Sequence, residues 1–196
     1  LGMLDSMNFF VKLQFETLYH FDYKLNLKEN LSKDELQVLY DQYGDHTSKS
    51  LGIEIKNNKK LESNNIFVTD ADNYVRFVNR KNQIIDKPSD EGVFVTFKLA
   101  ETKGYKLGDE ITWHIYGDEN YYSSKIIGFN KDPQNQNITM TKNYYESLGF
   151  AYQPDALYTN VDLSKTKEIS NVLTIQDIEN LKEGMEGMLS MMKTML

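Results

Sequence analysis

The chain has 196 residues, 40% of them apolar, enough for one compact unit or two small lobes with a buried core. Its 22 basic and 29 acidic side chains leave a formal charge of −7, and the basic residues are scattered, which excludes the footprint of a nucleic-acid binder. The absence of cysteine excludes a disulfide scaffold, a thiolate metal site and cysteine catalysis, and no run reaches the roughly 18 apolar residues of a membrane span.

The first segment places Leu4, Met7, Val11, Phe15 and Leu18 three and four residues apart, which predicts an amphipathic helix starting at Leu1. Tyr23, Leu25 and Leu27 then alternate with polar residues as a half-buried strand does. Ser32 and Glu35 form a capping box that opens a helix over Lys33 to Tyr43, closed by Gly44. Strands are expected at Lys49 to Ile55, Asn65 to Thr69 and Tyr74 to Val78, with turns at Asn57-Asn58 and at Asp70 to Asn73. The opening therefore reads β-α-β-β, an α+β pattern.

Pro88, Ser89 and Asp90 mark a change of texture toward shorter strands and tight turns. Val93 to Phe97 reads as a strand, Lys98 to Lys103 as a short helix ended by Gly104, and Gly108-Asp109 as a turn into a strand over Glu110 to Tyr116. Further strands are expected at Tyr121 to Phe129 and Ile138 to Met140, before a Tyr144-Tyr145 helix ending at Gly149. Ala156 to Val161 and Ile169 to Leu173 resume strand character and are read as returning to the first lobe. The expected organisation is an α+β lobe over residues 1–87 and 150–196, with a small β-rich, barrel-like lobe over 88–149 inserted in it.

The last helix is expected from Thr174, with Asp177 and Glu179 in its first turn, where negative charge suits the helix dipole. In it Ile178, Leu181, Met185, Met188, Met192 and Met195 repeat at alternate spacings of three and four, the seam a heptad helix presents to a partner. Gly184 and Gly187 each cost about 1 kcal/mol against alanine, so this helix needs packing or continuation. An ordinary core-facing helix with methionine filling fits the same period. The weak capping at both ends of the chain points instead to a pair of stalk helices that continue toward a bilayer.

Chemistry-bearing patterns are sparse. His20, His46 and His114 are far apart and none has a partner at metal-ligand spacing, and acids such as Asp70, Asp72, Asp86, Asp90 and Glu91 fall in turn-like polar stretches. No phosphate-cradling glycine loop, nucleophile elbow or zinc-protease helix is present, so neither an enzyme nor a cofactor is expected. The aromatic pairs Phe9-Phe10, Tyr121-Tyr122 and Tyr144-Tyr145 read as one ring buried and one exposed, or as the lining of a ligand or partner surface.

The stretch from Gly92 to Leu163 resembles the extracytoplasmic domain of FtsX/MacB-like ABC transporter permeases. The resemblance is carried by Val95-Thr96-Phe97-Lys98-Leu99-Ala100-Glu101 and by Gly104-Tyr105-Lys106-Leu107-Gly108-Asp109-Glu110-Ile111, with Lys125 to Phe129 as the strand returning from the Gly-Asp hairpin. Within it Leu99, Ala100, Gly104, Gly108 and Asp109 have structural roles: packing of the short helix, its termination, a positive φ and a turn hydrogen bond. What the resemblance implies is a two-lobed domain like the periplasmic domain of MacB, on the extracellular face of the cell membrane. It would couple ATP hydrolysis by a separate cytosolic ATPase subunit to external motion, for mechanotransmission or export. Its expected partners are the transmembrane part of the same permease and an extracellular adaptor or a peptide or lipid substrate. The alternative is a ligand-sensing or antimicrobial-peptide-sensing module of such a permease. The abundance of Asn, Lys, Ile and Tyr fits the AT-rich genome of a Gram-positive bacterium.

Overall fold

The computed structural model describes residues 2–196, so the expected helix start at Leu1 lies outside the described residues. In chain order the elements are α1 (Met3–Lys12), a π-helical turn (Leu13–Leu18), β1 (Tyr23–Leu27), α2 (Lys33–Tyr43), β2 (Thr47–Asn57), β3 (Lys60–Asp70), a 3-10 turn (Asp72–Tyr74), β4 (Phe77–Val78) and β5 (Ile84–Ile85). They are followed by β6 (Val93–Thr96), α3 (Phe97–Lys103), β7 (Glu110–Ile115), β8 (Tyr122–Asn130), β9 (Ile138–Thr141), α4 (Lys142–Ser147), β10 (Ala156–Thr159), β11 (Val172–Asp177) and α5 (Ile178–Thr194). The fold class is mixed α+β.

The chain divides into two compact units. The first comprises Leu1–Thr47, Ala71–Arg76 and Pro154–Leu196, and the second Ser48–Asp70 and Phe77–Gln153. The expected boundary at residue 88 is thus displaced: β2, β3, β4 and β5 belong with the β-rich unit. The reason is topological, because β2 and β3 supply two strands of a barrel that the later strands cannot close alone.

In the first unit β1 lies between β10 and β11 and runs antiparallel to both, with Tyr23 opposite Thr159 on one side and Asp177 on the other. Alternation sorts the side chains onto two faces. Tyr23, Leu25, Leu27 and Leu157 pack with Leu39 of α2 and with Leu31 and Leu163. The intervening Ala156 and Tyr158 face the opposite way and join a cluster built from α1, the π-helical turn and α5. α2 begins as its sequence dictates: Ser32 Oγ accepts from the Glu35 N–H at 3.1 Å, and Glu35 Oε1 accepts from the Ser32 N–H at 3.0 Å. Such a cap contributes about 1 kcal/mol.

Two expected elements differ. The last helix begins at Ile178 rather than Thr174, because Thr174 to Asp177 stay in β11 to pair with Asn26 to Tyr23. Asp177 is therefore the N-cap, its Oδ1 accepting from the Asn180 N–H at 3.1 Å. The strand expected at Tyr74 to Val78 reduces to Phe77–Val78, which pairs with β5, since the chain first turns in 3-10 form.

The second unit is a closed barrel of six strands in the order β2-β3-β9-β6-β8-β7, shut by antiparallel pairing of β7 with β2 from Ile53 opposite Ile115 to Lys56 opposite Thr112. The β3–β9 and β6–β8 pairs are parallel. Ile53, Ile55, Ile66, Val68, Val95, Ile111, Ile126, Ile138 and Met140 fill the core, as expected of a barrel too narrow for a channel. Trp113 is fully buried, and its indole N–H donates to Ser124 Oγ at 2.9 Å, which also accepts from the Tyr144 hydroxyl at 2.9 Å.

The barrel has an acid-sensitive latch. Asp90, just before β6, accepts from the Thr141 hydroxyl at 2.6 Å and from the Asn143 side-chain amide at 3.1 Å. These two hydrogen bonds hold its carboxyl below the usual carboxylate range. A lowered folded-state value means stability that is present above the unfolded value of about 3.9 and lost as pH falls through the folded one. In urea titrations the stability gap between the native chain and Asp90→Asn should therefore be open at pH 7 and narrow below about pH 4. A gap that widened in acid would contradict the assignment.

Candidate functional site

The candidate site lies in the first unit, around the two terminal helices, where several distant segments meet. Leu4, Val11 and Phe15 are buried along one side of α1 and its π-helical extension, and Ile178 and Leu189 along α5, with Met7, Met185 and Met192 packed at the edges. Glu16 Oε1 accepts from Lys182 Nζ at 3.1 Å, while Asn8, Val11 and Lys12 flank the same groove as Glu186, Leu189, Ser190 and Lys193. Residue numbers thus rise along one helix as they fall along the other, so α1 and α5 are antiparallel. The hydrogen bond to Glu16 raises the Lys182 ammonium above its ordinary value.

The expected six-residue seam on α5 is split. Ile178, Met185 and Met192 face α1, joined by Leu189, which the heptad count had left out. Leu181, Met188 and Met195 lie on another side, Met188 at 52% and Met195 at 81% exposure. On a helix of 3.6 residues per turn the second set stands about 60° round from the first, so a single neighbour covers one set and leaves the other at its margin.

One helix grows directly out of a paired strand, and the other joins its strand through a short pinned connection. β11 ends at Asp177 and α5 starts at Ile178, whose N–H donates to the Asp22 carbonyl at 3.0 Å. On the other side the π-helical turn closes with a Tyr19 N–H to Gln14 carbonyl bond of 3.0 Å, five residues back, and the chain enters β1 four residues later. Arg76 N–H to the Leu18 carbonyl at 2.9 Å and His20 N–H to the Tyr74 carbonyl at 2.9 Å pin this connection to the Ala71–Arg76 segment.

Beside the junction opens a cleft of about 620 Å³. One wall is aromatic: Phe15 and Tyr19 meet edge to face at 5.6 Å, and Tyr19 and Phe21 are tilted at 4.9 Å. The rest is polar, with Asp22, Asp162, Asp177 and Glu179 accompanied by His20, Tyr23, Asn160 and Asn180. Asn160 Oδ1 accepts from the Asp22 N–H at 2.8 Å, and the Tyr23 hydroxyl points to Asp162 Oδ1 at 3.4 Å. Burial, then the negative charges of Asp177 and Asp162, raise the Tyr23 phenol above its ordinary value. The backbone N–H of Ser164 lowers Asp162. Sequence reading did not find this cleft, because its residues come from three segments joined only through the pairing of β1 with β10 and β11.

The Gly-Asp motif lies in the second unit. Leu99 and Ala100 are buried on α3, and Gly104 ends that helix at φ +72°, donating its N–H to the Ala100 carbonyl. Gly108 has φ +91°, and Asp109 Oδ2 accepts from the Lys106 N–H at 2.9 Å, shaping the turn into β7. These five residues hold backbone and core. Of the histidines, His46 stacks on Tyr74 at 4.0 Å, His114 Nε2 lies 3.0 Å from Glu54 Oε1, and His20 borders the cleft. Among the described residues no group of three His, Asp or Glu is placed to hold a metal ion, and no helix is long and apolar enough to cross a membrane.

No family model matches the chain, and no curated protein matches it. Among solved structures it is similar to the extracellular domain of the noncanonic ABC-type transporter YknZ from Gram-positive bacteria, with a TM-score of 0.48 and 11% identity, over 85% of this chain and 94% of that one.

Proposed function

We propose that the chain is the extracytoplasmic domain of an FtsX/MacB-like ABC transporter permease, a non-enzymatic module that carries motion between membrane-embedded helices and the outside of the cell. The observation that supports this most is the union of α1 and α5 with β1 and β11. The helices are antiparallel, so their free ends lie side by side, and each runs into one of two paired strands. A displacement applied at those ends passes into the sheet without a slack linker, because packed helices and strands shift as units. The sequence resemblance of Gly92 to Leu163 to the permease family supports the same reading. Hydrolysis would be performed by a separate cytosolic ATPase, and this chain would convert it into conformational change for mechanotransmission or export.

The test is to place a Gly-Ser-Gly insertion between Asp177 and Ile178 in the intact permease. The expected outcome is loss of the transport-linked phenotype, with ATPase expression and basal hydrolysis retained and the circular dichroism of the isolated domain unchanged. Full transport with the insertion in place would overturn the coupling role.

A further inference from the structure

We propose that the cleft of the first unit binds an organic cation, an ammonium or guanidinium group carried on a slender chain. Its volume of about 620 Å³ lies within the usual range of small-ligand sites, about 300–1,000 Å³. Phe15 and Phe21 are 8% and 5% exposed and Tyr19 is half-buried, so the three rings give the cleft a narrow apolar wall for an alkyl stem. The carboxyl-bearing Asp22, Asp162, Asp177 and Glu179 also line it, and among the described residues no lysine or arginine does. Lys182, one turn into α5, is engaged by Glu16 and Glu186, with Glu179 adding to the field around it. The charge of the cleft is therefore complementary to a cation and repels anions. Binding here is independent of the coupling role, and either can hold without the other.

A free polyamine and the side chains of a basic peptide share this chemistry. The experiment titrates the full chain with spermidine, with trilysine and with an uncharged diol of similar length, by calorimetry and amide NMR. The expected result is saturable one-to-one binding of at least one of the two cations and none of the diol, with shifts centred on residues 19–23 and 177–180. The double variant Asp162→Asn/Glu179→Gln should weaken binding about fivefold or more, as loss of two partly exposed charges predicts. Glu168→Gln/Glu183→Gln, which removes the same charge from exposed positions outside the cleft, should leave it unchanged. Tighter binding of trilysine would identify a peptide as the source of the cation, and tighter binding of spermidine a free polyamine. Absence of saturable binding by both cations, or equal weakening in the two double variants, would overturn the proposal.

Discussion

Gly92→Ala should destabilise the chain by about 3 kcal/mol, near the upper end of what overpacking costs. Gly92 immediately precedes β6, which pairs in parallel with β8 from Val93 opposite Ile126. A Cβ at this position would lie 2.4 Å from the Lys125 carbonyl oxygen and 2.7 Å from Ile127 Cγ2. The first of these is backbone, so relief requires moving one barrel strand away from another rather than rotating a side chain. Gly104→Ala provides the contrast. There φ is +72° and no heavy atom lies within 4 Å, so only the left-handed backbone is penalised, by about 1 kcal/mol. Urea unfolding of both variants measures the difference, and a loss at Gly104 equal to or larger than that at Gly92 would contradict the close approach of β6 and β8.

The second large effect concerns the helix pair. Leu189 is 3% exposed between α5 and α1, so Leu189→Ala removes three buried carbons and leaves a hole that two antiparallel helices close only partly. Its expected cost is about 3 kcal/mol, within the range of leucine truncations in cores. Met188→Ala, one position away and half exposed, should fall within about 0.5 kcal/mol of the native chain. The same urea experiment reads both. If the order were reversed, the buried stripe would be the heptad set through Met188, and the junction of α5 with α1 would have to be redrawn.

That contrast also shows what the sequence could reveal of this protein. β1 and α2 were legible to the residue, because alternation over Tyr23–Leu27 and the Ser32–Glu35 box are local signals that tertiary contacts reinforce. The start of α5 was misread: Thr174 to Asp177 carry no local sign that Tyr23 to Asn26, nearly 150 positions earlier, will claim them as a strand. The split of the seam follows from the same limit, since a spacing of three and four is shared by both sets and the neighbour that decides which is covered is at the other end of the chain. The barrel was visible in its later strands, whereas the roles of β2 and β3 in it depend on the β2–β7 and β3–β9 pairings. The cleft was not legible, because Asp22 and Asp162 carry no pattern and Asp177 and Glu179 read only as first-turn helix charge until the pairing of β1 with β10 and β11 brings the four together.

Closure of the barrel has a bearing on how the protein resists aggregation. Each of its six strands has a hydrogen-bonded neighbour on both flanks over part of its length, with stretches such as Lys60–Asn65 of β3 running beyond β9, so the ring offers a foreign strand little open rim of amide and carbonyl groups. The barrel is thereby guarded against templated aggregation largely by connectivity, without relying on charged gatekeepers along a border.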